Sequence, residues 1–299
     1  MTRPVAVGLD GSPASLAAAD WGAREALRRD LPLRLVHVWE WQPPPAPPVG
    51  TDAPRLWTER LLREAAADLR SRFPDLVITT ASLMGAPPEV LCDVAEESEL
   101  MAIGSAGLGR LAGFFLGSVA MSTVAHTERP VVLVRAGTTA AAERLLATGE
   151  RPLSAMPYRP VVLGLDLSRP CDGVIRFAFE TAALRAAPLR VVHGRNPPAF
   201  FAYGVGVTPS VRDDVAVQEA EVLRTALRRW RERYPGIDVI EQAVIGQPVH
   251  HLVDAGADAG LVVIGKRTDR LSAGPTRIGH IAHAVMHHCP APVAVVPHD

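Results

Sequence analysis

A doubly wound α/β fold, present twice in tandem with five parallel strands each time, is what this chain of 299 residues predicts. Two observations carry the prediction. Short apolar, strand-like runs alternate with longer runs of helical periodicity, which implies parallel strands joined by right-handed helical crossovers. The chain is also written twice. Val5-Ala6-Val7-Gly8-Leu9-Asp10 returns as Val161-Val162-Leu163-Gly164-Leu165-Asp166, and Leu35-Val36-His37 returns as Val191-Val192-His193. Leu100-Met101-Ala102-Ile103-Gly104 returns as Leu261-Val262-Val263-Ile264-Gly265, and Pro130-Val131-Val132-Leu133-Val134 as Pro292-Val293-Ala294-Val295-Val296. A repeat of this length is a duplicated domain rather than a solenoid unit. The implied partition is a first domain over 1–137, a linker over 138–157 rich in Ala, Gly, Ser and Pro, and a second domain over 158–299.

The elements of the first half follow in order. Residues 5–9 read as a strand. A helix over 12–29 is signalled by Ser12 as cap, Pro13 in the first turn, and Leu16, Ala19, Ala23 and Leu27 at helical spacing. Residues 33–38 form the second strand, and 41–54 a proline-rich loop flanked by Trp39, Trp41 and Trp57, which pack it down. A helix over 56–72 turns Leu61, Leu62, Ala65 and Leu69 inward. A strand over 76–82, a helix over 87–97, a strand over 100–103, a helix over 116–127 and a strand over 131–135 complete the half. The second half repeats this from Pro160 to Pro297. The closing strands, 131–135 and 293–296, are apolar edges, and the expectation is that they lie side by side across the domain interface.

Composition excludes several classes. The net charge of −1 provides no general attraction to nucleic acid or to an anionic membrane surface. No apolar run reaches the length of a membrane span, and the N-terminus enters a strand pattern with no signal peptide. Cys92, Cys171 and Cys289 are widely spaced and fit a reduced, cytoplasmic setting.

The most informative local feature is Gly104-Ser105-Ala106-Gly107, followed after nine intervening residues by Gly117-Ser118. Glycines after a strand and before a helix let the main chain approach an anion, and N–H groups at the helix start supply donors. The spacing matches neither the triphosphatase loop nor the dinucleotide fingerprint. A plain loop with a helix-packing glycine is the alternative reading. Asp10 closes the first strand; if that strand neighbours the fourth at the switch point of the sheet, Asp10 and Gly104 face one crevice. Asp10 alternatively serves only as a helix-start residue before Ser12-Pro13.

These residues resemble the universal stress protein family, in its tandem two-domain form. Gly104, Gly107, Gly117 and Ser118 meet the family's G-x2-G-x9-G-[S/T] signature, and Asp10, His37-Val38 and the closing Pro-Val strand match too. The resemblance implies ATP as ligand, with Mg²⁺ or Mn²⁺ alongside its phosphates. Asp10 is then placed by the ribose and adenine, and Val38 meets the adenine through its backbone. Gly104 and Gly107 wrap the phosphates, and Gly117 and Ser118 hold them at the helix start. Gly8, Leu9, Ile103 and Val119 complete the set of nucleotide-binding positions. Helix-terminal donors of this kind contribute roughly 0.3–1 kcal/mol each when exposed. Ala106 and Ala120 depart from the pattern. The second half departs further. Lys266-Arg267-Thr268 follows Gly265 without a second glycine, Gly279 is followed by His280 at a spacing one residue longer, and Gly194 stands where the first half has Val38. The expectation is nucleotide binding in the first half, weak or absent in the second.

Bland readings cover most other motifs. His37 and His193 read as packed strand histidines, and His280, His283 and His287 as one helix face without a metal pattern. The Arg-rich stretch from Arg224 to Arg233, interleaved with Glu219, Glu221 and Glu232, reads as a solvated helix face. The functional expectation is a non-enzymatic stress-response sensor or regulator. Its partners are an adenine nucleotide, an unidentified protein and, in line with the family, a second copy; nucleic acid and membrane are not among them. A slow ATPase and a nucleotide-free scaffold are the alternatives. Hydrolysis requires a positioned water and a basic group on the γ-phosphate, and Arg110 is the only basic residue in the glycine segment.

Overall fold

A computed structural model describes residues 2–40, 53–105, 117–145, 156–195, 209–268 and 278–299. Residues 41–52 of the proline-rich loop, with Trp41, and Ala106, Gly107, Arg110 and Leu116 lie outside the described residues. The chain divides into two units, with the division between Ala140 and Ala141.

The first unit runs β1 (Val5–Gly8), α1 (Pro13–Arg29), β2 (Leu33–Trp39), α2 (Ala53–Arg72), β3 (Ile78–Met84), α3 (Pro87–Glu96), β4 (Leu100–Ser105), α4 (Ser118–His126) and β5 (Val131–Arg135). Its strands are all parallel in the order β3-β2-β1-β4-β5. The second unit runs β6 (Val161–Gly164), α5 (Asp172–Arg185), β7 (Leu189–Arg195), α6 (Pro209–Arg233), β8 (Val239–Ile245), α7 (Pro248–Ala257), β9 (Leu261–Arg267), α8 (His280–His288) and β10 (Val293–His298). Its parallel order is β8-β7-β6-β9-β10. Each unit is therefore the doubly wound sheet expected from the alternation of elements. In each the first strand sits between the second and the fourth, which is the switch point.

Helix α1 is started by Ser12, whose side chain accepts from Ser15 N, with Pro13 in the first turn, and is stopped by Asp30 in the left-handed conformation (φ 53°). Its buried face differs from the one the leucine spacing indicates. Leu16 and Leu27 are 45% and 40% exposed, while Ala14, Ala18, Ala19, Trp21, Gly22, Ala23 and Ala26 are buried. The buried arc is centred on small residues because the helix lies very close to the sheet. A Cβ on Gly22 would stand 2.6 Å from Val7 Cγ2. Glu25 is buried on this helix and accepts from Arg28 (3.2 Å) and Arg29 (2.8 Å).

Other boundaries move for identifiable reasons. β3 begins at Ile78 rather than Leu76, because a turn in which Leu76 N donates to Phe73 O (3.1 Å) uses up the start of the apolar run. α2 starts at Ala53 and buries Leu62, Ala66 and Leu69, with Leu61 and Ala65 half-buried. β4 continues through Gly104 to Ser105 rather than stopping at Ile103. On α6, Arg231 pairs with Glu241 (2.6 Å), Arg224 with Glu221 and Arg229 with Asp172, so this face is a lattice of surface ion pairs. No helix among the described residues is long and apolar enough to cross a membrane.

Candidate functional site

The first unit brings the carboxyl ends of β1, β2 and β4 together. Gly8 is in register with Val36 on one side and Ile103 on the other, so Leu9 and Asp10 emerge beside Gly104 and Ser105. Leu9 and Ile103 have core side chains, 3% and 7% exposed, and can serve a ligand only through their backbones. Gly8 is half-buried under Leu91, and Val38 is half-buried in β2, paired with Leu83 of β3.

Asp10 is exposed and tied into the start of α1. Ser12 N donates to Asp10 Oδ1 (2.9 Å), and Asp10 N donates to Ser15 Oγ (3.3 Å). Ser15 Oγ in turn donates to Ser12 O (3.0 Å). Between them Gly11 takes φ +80°, which a β-carbon resists. Partial burial pushes the Asp10 carboxyl up, but hydrogen bonds from the Ser12 side chain and backbone and the Ser15 side chain outweigh it. The group therefore titrates below the usual 3.8. A lowered folded-state value means a stabilising contribution that is present above 3.8 and lost as pH falls through the folded value. Asp10→Asn is accordingly expected to lower the melting temperature at neutral pH, with the gap to wild type closing below pH 3.8; a pH series of thermal melts checks it. Asp10 is thus bonded into the start of α1, and its residue is exposed beyond the end of β1.

Gly104 has a different reason to be glycine than an anion. A Cβ there would stand 2.5 Å from Ala14 C and from Ser15 N, inside the backbone of α1. The residue is the point at which β4 passes under the first turn of α1. Gly117 is the opposite case. It caps α4 in extended backbone (φ −62°, ψ 152°); among the described residues no heavy atom lies within 4 Å of a Cβ and no side chain bonds to the helix start. The first N–H groups of α4, at Ser118, Val119 and Ala120, have no partner within the helix by geometry. The first turn carries no acidic residue, and Gly117 and Ser118 are exposed with Val119 half-buried. Among the described residues this is a positive helix end without a side-chain cap, exposed at Gly117 and Ser118.

His37 is buried, and its Nδ1 donates to Leu9 O (2.6 Å), fixing the end of β2 against that of β1. Sequence reasoning saw this histidine correctly as a strand residue. It missed Gly11 and Ser15, whose roles are set by the turn between β1 and α1. It also placed Trp57 under the proline-rich loop. Residues 41–52 of that loop lie outside the described residues; among those described, the indole rests on Gly11 and His37 and is 51% exposed.

The second unit repeats the frame and changes the chemistry. Asp166 Oδ1 accepts from Ser168 N (2.9 Å) and Oγ (2.7 Å), and His193 Nδ1 donates to Leu165 O (2.9 Å). His193 Nε2 faces Glu219 Oε2 at 3.3 Å, which places a carboxylate over this crevice. Lys266, fully buried, stands where the first unit has Ser105, and Gly194 is held by close approach to Pro248 (2.7 Å from a Cβ to its Cα). Gly279 caps α8 as Gly117 caps α4 (φ −58°, ψ 150°), with His280 following.

No group of three or more His, Cys, Asp or Glu among the described residues is placed to hold a metal ion. The His283 and His287 rings lie 4.4 Å apart; burial, then the neighbouring His287 and His288, push the His283 imidazole below its usual value.

Comparison with known proteins agrees with this duplicated frame. The model of the universal stress protein family matches residues 1–135 and again 157–297. Universal stress protein Rv2005c of Mycobacterium tuberculosis is 30% identical over 304 residues, covering 97% of this chain and 96% of that protein. Universal stress protein Rv2623 of the same organism is 30% identical over 312 residues, covering 97% and 95%. The crystal structure of a universal stress protein from Archaeoglobus fulgidus shares the fold, with a TM-score of 0.68 at 17% identity over 98% of both chains. With two matched copies of the domain in one chain, this protein belongs to the universal stress protein family, in its tandem form.

Proposed function

We propose that the first unit binds ATP and that the chain acts as a nucleotide-responsive sensor or regulator in the stress response. The observation that carries the reading is the start of α4 behind Gly117, without a side-chain cap among the described residues, in the same unit as a carboxylate held ionised at the switch point. The two features divide the work. First-turn N–H groups and the helix dipole favour the polyphosphate, with Mg²⁺ or Mn²⁺ as counter-ion. Asp10 repels phosphate and accepts from hydroxyl groups, so it receives the ribose. Gly104 supports the site indirectly, by letting α1 and the Asp10 turn settle against β4.

The second unit keeps the frame, with Asp166 at the strand end and a helix start behind Gly279, but changes what surrounds it. Glu219 lies over its strand ends, and the Lys266-Arg267-Thr268 run replaces the second glycine. It therefore binds ATP weakly or not at all. The test is to denature the purified protein and to identify by mass any nucleotide released, before and after incubation with Mg-ATP. Release of an adenine nucleotide is the expected result; a chain that neither retains nor takes up ATP contradicts the proposal.

A further inference from the structure

We infer that Trp57 is the platform on which the adenine ring stacks, an assignment that rests on the proposed nucleotide site and adds to it the residue that selects for a flat heteroaromatic base. The indole is held at two points. Its six-membered ring lies over Gly11, where a Cβ would stand 3.4 Å from Cζ2 and 3.5 Å from Cη2. Its edge meets the buried His37 ring at 5.5 Å and 70°. His37 is itself pinned to Leu9 O. The platform therefore stands over the ends of β1 and β2, and the residue beneath it follows Asp10 directly in the chain. Despite these contacts the side chain is 51% exposed, a large apolar surface at the carboxyl ends of the strands.

Charge fixes what covers it. The phosphates are drawn to the start of α4 and kept away from the Asp10 carboxylate. A ribose accepted by Asp10 then leaves the base on the side of β2, where the indole lies. Stacking of a nucleobase on an aromatic ring tolerates any base and is strong on tryptophan. Among the described residues, the second unit has no tryptophan at the matching position. Matching Arg72-Phe73-Pro74 to Arg233-Tyr234-Pro235 aligns Trp57 with Gln218, which is exposed, and its His193 faces a carboxylate instead of a ring.

The experiment is calorimetric titration of Mg-ATP into the full-length wild type, Trp57→Phe and Trp57→Ala, with a thermal melt of each. Trp57→Ala is expected to weaken ATP binding by about tenfold or more, and Trp57→Phe by only a fewfold, because the smaller ring still stacks. Quenching of indole fluorescence by ATP is expected in the wild type and is reduced in Trp57→Phe. If Trp57→Ala binds ATP within twofold of wild type, or Trp57→Phe binds no better than Trp57→Ala, the platform is overturned while the nucleotide site stands. If the wild type itself does not bind ATP, both are overturned.

Discussion

Gly104→Ala is expected to destabilise the first unit by about 3 kcal/mol, roughly 10 °C in melting temperature for a domain of this size. The added methyl carbon meets Ala14 C and Ser15 N at 2.5 Å, and neither is the flexible end of a side chain. Relief requires the first turn of α1 to lift from β4. That movement disturbs the bonds from Ser12 and Ser15 that hold Asp10, so ATP binding falls together with stability. Thermal melts of Gly104→Ala against wild type measure the first effect. A melting temperature within about 2 °C of wild type would show that α1 does not press on β4 as described.

Gly117→Asp is expected to do the reverse: to raise stability and remove binding. The backbone at Gly117 is extended, and a Cβ there meets nothing within 4 Å among the described residues, so the backbone accepts the substitution without strain. Aspartate is a favoured helix cap and complements the dipole, together worth about 0.5–1 kcal/mol. The same carboxylate occupies the donors that the polyphosphate needs and repels it. Like charges in contact cost several kcal/mol, so affinity for Mg-ATP falls roughly a hundredfold or more. The contrast with Gly104 matters, because the two glycines belong to one motif in the sequence and answer to different physics in the fold.

That contrast also shows where the sequence was legible. The duplication, the strand order implied by β-α alternation and the placing of Asp10 at the switch point all followed from local patterns repeated in the same order. Ser12-Pro13 announced the start of α1 correctly, because capping is local. The reason for Gly104 was hidden, because it depends on how closely α1 approaches β4, a tertiary quantity. The same approach explains why Leu16 and Leu27 misled: a helix this near its sheet buries alanine and glycine and leaves its leucines at the margin. The contacts of Trp57 were hidden because Gly11 and His37 come from the turn after β1 and from β2, far away along the chain. The degenerate second motif was visible as a missing glycine, but the Glu219 carboxylate facing His193 was not, since it comes from a different element.

The most direct test of a single working site uses the two helix caps as a pair. Calorimetric titration of Mg-ATP into wild type, Gly117→Asp and Gly279→Asp is predicted to give one nucleotide per chain, none, and one, with both variants melting at or above the wild-type temperature. Unchanged binding in Gly117→Asp, or loss of binding in Gly279→Asp, would contradict the assignment of the nucleotide to the first unit.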